Sequence, residues 1–288
     1  MIAQDAGLSR RLLRAPRLPA PGLLLAGGAG LLAIAVCTVA GPALAGFDPV
    51  HVATAQRLLP PGAAGHRLGT DQLGRDVLAR TLAGFRWSLA VAGAASAIGA
   101  TAGTAIGLAA GWYEGWPRAV LARAMETAIA FPSLVLALAV IAVAGHGYGA
   151  LVLVLGLVTW VVFARVVAAE TQAVERREYV LAARLLGLGD ARVLLGPVLR
   201  ALRPQLLVVA AFVFADLLVA EASLSFLGVG APLDTPSWGG MLADSRQYVF
   251  TAPWLLYAPG AAVVLAVVTA NLLGDGLAQL WSGPGRME

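Results

Sequence analysis

Four stretches of this chain, residues 22–46, 87–112, 127–145 and 147–164, contain no charged side chain. A helix needs about 20 consecutive, mostly apolar residues to cross the hydrocarbon core of a bilayer. Two further stretches, about 205–228 and 254–275, have the same character; the first includes Asp216 and Glu221, the second Pro259 and Asn271. Within lipid the backbone must satisfy its own hydrogen bonds, which restricts such runs to helices. The expectation is an all-α, polytopic membrane protein with six transmembrane helices. Composition agrees, since only 12% of the residues are charged, against about a quarter in a soluble domain.

The first run follows Arg10, Arg11, Arg14 and Arg17 and so resembles a signal peptide. It is too long for an ordinary signal core, and Pro42–Gly46 makes a weak cleavage site, so it reads as a retained helix. Arginine placement predicts the orientation, because positive charge collects on the cytoplasmic side. With the N-terminus inside, fourteen arginines are cytoplasmic and six (Arg57, Arg67, Arg75, Arg80, Arg86 and Arg246) are outside. Both termini are then cytoplasmic. The chain divides into a tail (1–21), a first transmembrane helix (22–46), an extracytoplasmic segment (47–86), a membrane core (87–277) with a cytoplasmic loop at 165–204, and a tail (278–288).

The same composition excludes several chemistries. All twenty basic residues are arginine, so the chain has no lysine for a nucleotide-binding P-loop or a Schiff base. His51, His66 and His146 have no metal-ligand spacing, and Cys37 is alone. There is no HExxH or GxSxG motif for an intramembrane enzyme, and no aromatic–basic interleaving for nucleic acid. No catalytic, metal or cofactor-binding residue is expected. A secondary transporter using intramembrane carboxylates is the rival reading, but such carriers usually contain internal repeats, and none is visible.

Three local patterns remain. Gly99, Gly103, Gly107 and Gly111 recur every fourth residue, forming one smooth helix face for close packing, within the bundle or against a second membrane subunit. Between residues 47 and 85, Thr70, Asp71 and Asp76 are candidate helix caps. Val77, Leu78, Leu82 and Phe85 form an apolar stripe suited to a helix lying along the outer interface, with a docking surface for an extracytoplasmic binding protein as the alternative. The third pattern is EYVLAARLLGLGDARVLLGPVLRALRP at 178–204. It predicts a helix, a Gly187-Leu188-Gly189 elbow and a second short helix capped by Asp190, which Gly196-Pro197 should bend or end.

Ala182-Ala183-Arg184, Gly187 and Asp190 resemble the EAA loop of ABC importer permeases. LGTDQLGRDVLAR (68–80), AEASLSFLGVGAPLDTPSWGGML (220–242) and NLLGDGL (271–277) look like segments of the C-type permeases for dipeptides, oligopeptides and nickel. The likeness extends over residues 68–277. Leu181 stands where that family has its leading Glu, Arg200 where it usually has Pro, and Ala278-Gln279 replace a common Arg-Asp.

The resemblance implies a type I ABC importer membrane bundle in a bacterial inner membrane, moving peptides, with nickel as the alternative cargo. It implies coupling to an ATPase through Glu178, Leu181, Ala182, Ala183, Arg184, Gly187 and Asp190. The implied partners are a second homologous permease forming a heterodimer, two ATPase subunits that bind and hydrolyse ATP, and an extracytoplasmic peptide-binding protein. Glu221, Ser225 and Asp216 are candidates for the translocation path or a gate. For Glu221, pairing with a neighbouring helix or a place at the outer membrane boundary is the equal alternative, because intramembrane carboxylates cost ~2.5–3.5 kcal/mol and find partners. Pro236, Ser237 and Trp238 are candidates for outer-loop contact with the binding protein.

Overall fold

The computed structural model describes residues 19–145, 147–232 and 234–281. The arginines of both tails, on which part of the orientation argument rests, lie outside the described residues. The elements are α1 (Ala20–Ala45), α2 (Val77–Trp112), α3 (Trp116–Ala130), α4 (Ser133–Ala144), α5 (Tyr148–Glu175), α6 (Glu178–Leu185), α7 (Asp190–Phe226), α8 (Trp238–Ser245) and α9 (Trp254–Trp281). Among the described residues α1, α2, α5, α7 and α9 are each long and apolar enough to cross a membrane, and α3 with α4 makes a sixth span if the pair is counted as one.

That pair is bent by 86°. Pro132 has no N–H to donate and disfavours helical geometry in the residue before it. Phe131 accordingly takes φ −93° and ψ 131°, which ends α3. The third span was expected at 127–145; it is instead a broken one that starts earlier.

α2 also departs from expectation. The Asp76 carboxylate accepts the Ala79 N–H at 2.7 Å, fixing the helix start at Val77. No break follows until Trp112, so α2 is about 54 Å long at 1.5 Å per residue and outreaches the ~30 Å hydrocarbon core. The stripe of Val77, Leu82 and Phe85 is buried inside the protein. The interfacial helix expected there is the first part of α2 itself.

α7 carries Gly196-Pro197 without ending. The turn Leu194–Val198 widens to a π-helix, which absorbs the N–H that Pro197 lacks, and Leu199 resumes the α-helix. The sequence expected a bend or a stop at this point.

The centre of the bundle is the seam between α2 and α5, lined by the glycine row. A Cβ on Gly107 would lie 2.6 Å from the Ala164 carbonyl oxygen, and one on Gly111 would lie 2.6 Å from Thr171 Cβ. Gly103 faces the Trp160 carbonyl and Phe163, and Gly99 faces Thr159. The row therefore serves packing within the chain, the first of the two interfaces left open by the sequence. α9 packs against α1 and α7, with Gly27 and Gly30 of α1 against Leu273 and Thr269.

Candidate functional site

The end of the bundle where α2 and α5 finish and α7 starts carries α6. Val180 is buried, and Ala183 packs with it against Leu108, Trp112, Val167 and Val193. Arg184 adds a fastening: its guanidinium lies 3.8 Å above the Trp112 ring and donates to Glu175 Oε1 at 2.9 Å. These three residues share one helix face. Glu178, Leu181, Ala182 and Leu185 occupy the opposite face, at spacings of three and four, and all four are exposed. Leu185 and Leu186 are 88% and 80% exposed. α6 thus holds to the bundle by one side and presents an apolar ridge on the other.

The ridge is ended by an elbow. Gly187 takes φ +78°, a conformation that side chains oppose. Its N–H bonds the Arg184 carbonyl at 2.9 Å, and the Leu188 N–H bonds the Ala183 carbonyl at 3.2 Å. This is a Schellman closure, which satisfies carbonyls left free at a helix end. Asp190 does not cap the next segment, contrary to expectation. Gly189 occupies the cap position, and Asp190 is the first helical residue with no side-chain cap bond. Its exposed carboxylate is left in the first turn, where the helix dipole favours it.

Among the seven coupling residues named from sequence, Glu178, Leu181 and Ala182 lie on the free face. Ala183 and Arg184 hold α6 down, Gly187 makes the elbow, and Asp190 starts the next helix. Leu185 and Leu186 were missed, although their places at i+4 from Leu181 and Ala182 were a readable signal.

The opposite end is built around Glu221, which is wholly buried. Its Oε1 accepts the Trp87 indole N–H at 3.0 Å and the Ser225 hydroxyl at 2.8 Å, while Oε2 accepts the Ser88 hydroxyl at 2.8 Å. Ser225 also accepts the Ala231 N–H at 3.1 Å. The carboxylate therefore ties α7 to α2, and Ser225 ties α7 to the turn that follows it. Of the two readings open for Glu221, the packing supports pairing with a neighbouring helix. Glu221 and Ser225 are both buried, and their oxygens are engaged by Trp87, Ser88 and the Ala231 N–H.

Trp238 and Ser237 also depart from expectation. Trp238 is fully buried, edge-on to Phe85 with centroids 4.7 Å apart, and donates to the Thr81 carbonyl at 3.1 Å. Gly84 leaves the room for it, since a Cβ there would lie 2.7 Å from the indole. Ser237 is buried and caps α8 by accepting the Gly240 N–H at 3.1 Å. Trp238 seals α8 onto α2, neither residue is exposed as an outer contact surface, and Pro236 beside them is half-buried. An apolar loop residue placed beside uncovered helix ends is drawn inward, because burying an indole with its N–H paired is strongly favourable.

Residues 47–76 cover the same end. Asp71 accepts the Leu73 and Arg75 N–H groups at 2.8 and 2.9 Å and pairs with the Arg75 guanidinium at 2.6 Å. Buried His66 contacts Asp76 through Nδ1 at 2.7 Å and Gln56 through Nε2 at 3.0 Å. Thr70, one of the expected caps, accepts the Leu59 N–H at 2.9 Å instead.

Asp216, the remaining candidate, sits apart from all of these. It is exposed on the wall of a cleft of about 520 Å³ bounded by the α3–α4 bend, α5 and α7. Five residues turn a helix by about 140° between Asp216 and Glu221, so α7 gives one carboxylate to the cleft and the other to the core.

Comparison with known proteins agrees with this architecture. The family model described as the inner membrane component of binding-protein-dependent transport systems matches residues 103–282. The di/tripeptide transport system permease DppC of Pseudomonas aeruginosa is 36% identical over 86% of this chain and 83% of that protein. The glutathione transport system permease GsiD of Pectobacterium atrosepticum is 35% identical over 93% of this chain and 87% of its own. The nickel transport system permease NikC of Escherichia coli K12 is 36% identical over 80% and 83%. A multi-pass helical bundle, matched by the family model over most of its core and by such relatives over most of its length, belongs to the inner-membrane components of binding-protein-dependent transport systems.

Proposed function

We propose that this chain is one membrane subunit of an ATP-driven importer of di- or oligopeptides, and that α6 is the element through which ATPase subunits move it. The observation that carries this reading is the apolar ridge of Leu181, Leu185 and Leu186 on a helix fastened to the bundle by its other face. Exposed leucines at the end of a bundle lower the free energy when a partner covers them. The Arg184 clamp to Trp112 and Glu175 joins the ridge to the ends of α2 and α5. A push on α6 is thereby passed to the central glycine seam. A nucleotide-dependent closure of two ATPase subunits would rock this bundle against a second permease, while a binding protein delivers cargo at the opposite end. On this reading ATP is bound and hydrolysed by the partner subunits.

Peptide is favoured over nickel as cargo. The relatives carry both kinds of name, and those named for di/tripeptide and glutathione transport match 86% and 93% of this chain, against 80% for the nickel permease.

The test is a pair of substitutions on the ridge, Leu185→Asp and Leu186→Asp, in cells that import a labelled tripeptide through this system. Neither side chain supports the fold, so the expected result is normal membrane abundance with uptake reduced more than tenfold and the ATPase no longer co-purifying. Wild-type uptake by both variants would remove the docking role from α6.

A further inference from the structure

The cleft between the α3–α4 bend, α5 and α7 is walled by apolar side chains such as Phe131, Leu136, Leu157 and Leu217, with Ser133, Thr159 and Asp216 the polar exceptions. The Thr159 hydroxyl is committed to its own helix, donating to the Leu155 and Gly156 carbonyls at 3.0 and 3.2 Å. Asp216 is committed to nothing: it makes no hydrogen bond or ion pair among the described residues. Arg203, the preceding arginine on α7, lies thirteen residues back, about 20 Å along the helix at 1.5 Å per residue. Arg246, the next one in sequence, is bonded to the Phe226 carbonyl.

A carboxylate in the middle of a transmembrane helix raises the cost of insertion by ~2.5–3.5 kcal/mol, and such residues face a partner or a water-filled cavity. This one faces the cavity, and the cavity's volume of about 520 Å³ falls in the ~300–1,000 Å³ range of small-molecule sites. The sequence around it has no other need of an acid: Leu217 and Leu218 beside it are buried, and the tie between α7 and α2 is made by Glu221.

We infer that Asp216 is a subsite for the positively charged group of the cargo, the free amino terminus of a peptide, as it passes through this cleft. The inference rests on the peptide-importer reading and specifies where the permease touches what it carries. An ammonium group suits the site because it has three donors and needs no fixed geometry, so one carboxylate can hold it. A transition metal would require several ligands set in place. A single ion pair in an otherwise apolar wall also suits passage, because a conducting site must bind well enough to admit its cargo and weakly enough to release it.

The test uses the complete transporter, purified through a tag on this chain and reconstituted in liposomes, with trialanine as the probe. The measurements are trialanine uptake, ATP hydrolysis stimulated by the loaded binding protein, and recovery of the second permease. For Asp216→Asn we expect a maximal uptake rate at least tenfold lower, with hydrolysis within twofold of wild type and the second permease fully recovered. Asp216→Glu should keep at least a third of the uptake. Wild-type uptake by Asp216→Asn would overturn the inference. So would loss of hydrolysis or of the second permease, because Asp216 would then pair with an arginine across the subunit interface and not with cargo. Failure of the peptide reading would be seen separately, in a wild-type complex that takes up Ni²⁺ and no trialanine.

Discussion

Glu221 and Asp216 show how two carboxylates on one helix acquire different roles. Sequence marks both as costly, since each stands in an apolar run. The partners that separate them are not visible there, because Trp87 and Ser88 are 134 and 133 residues away from Glu221 in the chain. The contacts of Glu221 are three neutral donors, which makes a sharp prediction. Glu221→Gln keeps an acceptor for Trp87, and its amide can donate to a rotated serine hydroxyl, so folding and uptake should remain within twofold of wild type. Glu221→Leu leaves buried donors unpaired at ~1–3 kcal/mol each, and membrane abundance measured by immunoblot should fall severalfold. Loss of uptake in a well-folded Glu221→Gln protein would return this residue to the translocation path. Trp238 belongs to the same scale. Trp238→Ala removes a buried indole at a cost of ~3–5 kcal/mol, and its effect should appear as loss of folded protein, with no selective loss of binding-protein stimulation.

Among the elements, the glycine row was legible because spacing alone fixes a helix face, whereas its partner helix was not. Only the structure puts residues 159–171 against it. The consequence is a graded prediction along one helix. Gly107→Ala pushes a Cβ against the Ala164 carbonyl and Val167, and overpacking of this kind costs ~1–3 kcal/mol. Gly93→Ala on the same helix meets nothing nearer than Phe214 Cε2 at 4.0 Å. Thermal unfolding in detergent should separate them, with Gly107→Ala melting lower and Gly93→Ala unchanged. Equal melting temperatures would mean that the α2–α5 seam is looser than these distances. Other elements were read only in part. The α3–α4 break follows from Pro132, a local signal, but its 86° angle depends on what the two halves pack against. The turn at Gly196-Pro197 contains the residues that commonly stop a helix, and a π-helical widening let α7 continue through it. In the coupling loop the elbow was legible from Gly187, while the division of α6 into a fastened face and a free face required Trp112 and Glu175 from two other helices.

At the scale of the whole molecule, the six apolar runs already gave the class of fold, and the described arginines sort by end. Nine of them, from Arg118 to Arg203, lie toward the α6 end, and six lie toward the end that carries residues 47–76. The six are not equivalent as topological signals. Arg75 and Arg80 are buried beside Asp71, Arg86 donates to the Thr38 carbonyl at 2.9 Å, and Arg246 donates to the Phe226 carbonyl. Two of the six are thus buried fasteners of that end, and Arg57, Arg67, Arg86 and Arg246 remain exposed. Toward the α6 end Arg118 and Arg184 are half-buried and seven of the nine are exposed, so solvated positive charge stands at seven against four, in keeping with an orientation that puts α6 in the cytoplasm. Because Cys37 is the one cysteine in the sequence, a Cys37→Ala background allows a clean test. Single cysteines replacing Arg57 or Phe250, both exposed at one end, should react with a membrane-impermeant maleimide on intact spheroplasts. A cysteine replacing Leu185, exposed at the other end, should react only after permeabilisation. The reverse pattern would put α6 outside the cell, beyond the reach of any ATPase, and would remove the coupling role from this loop.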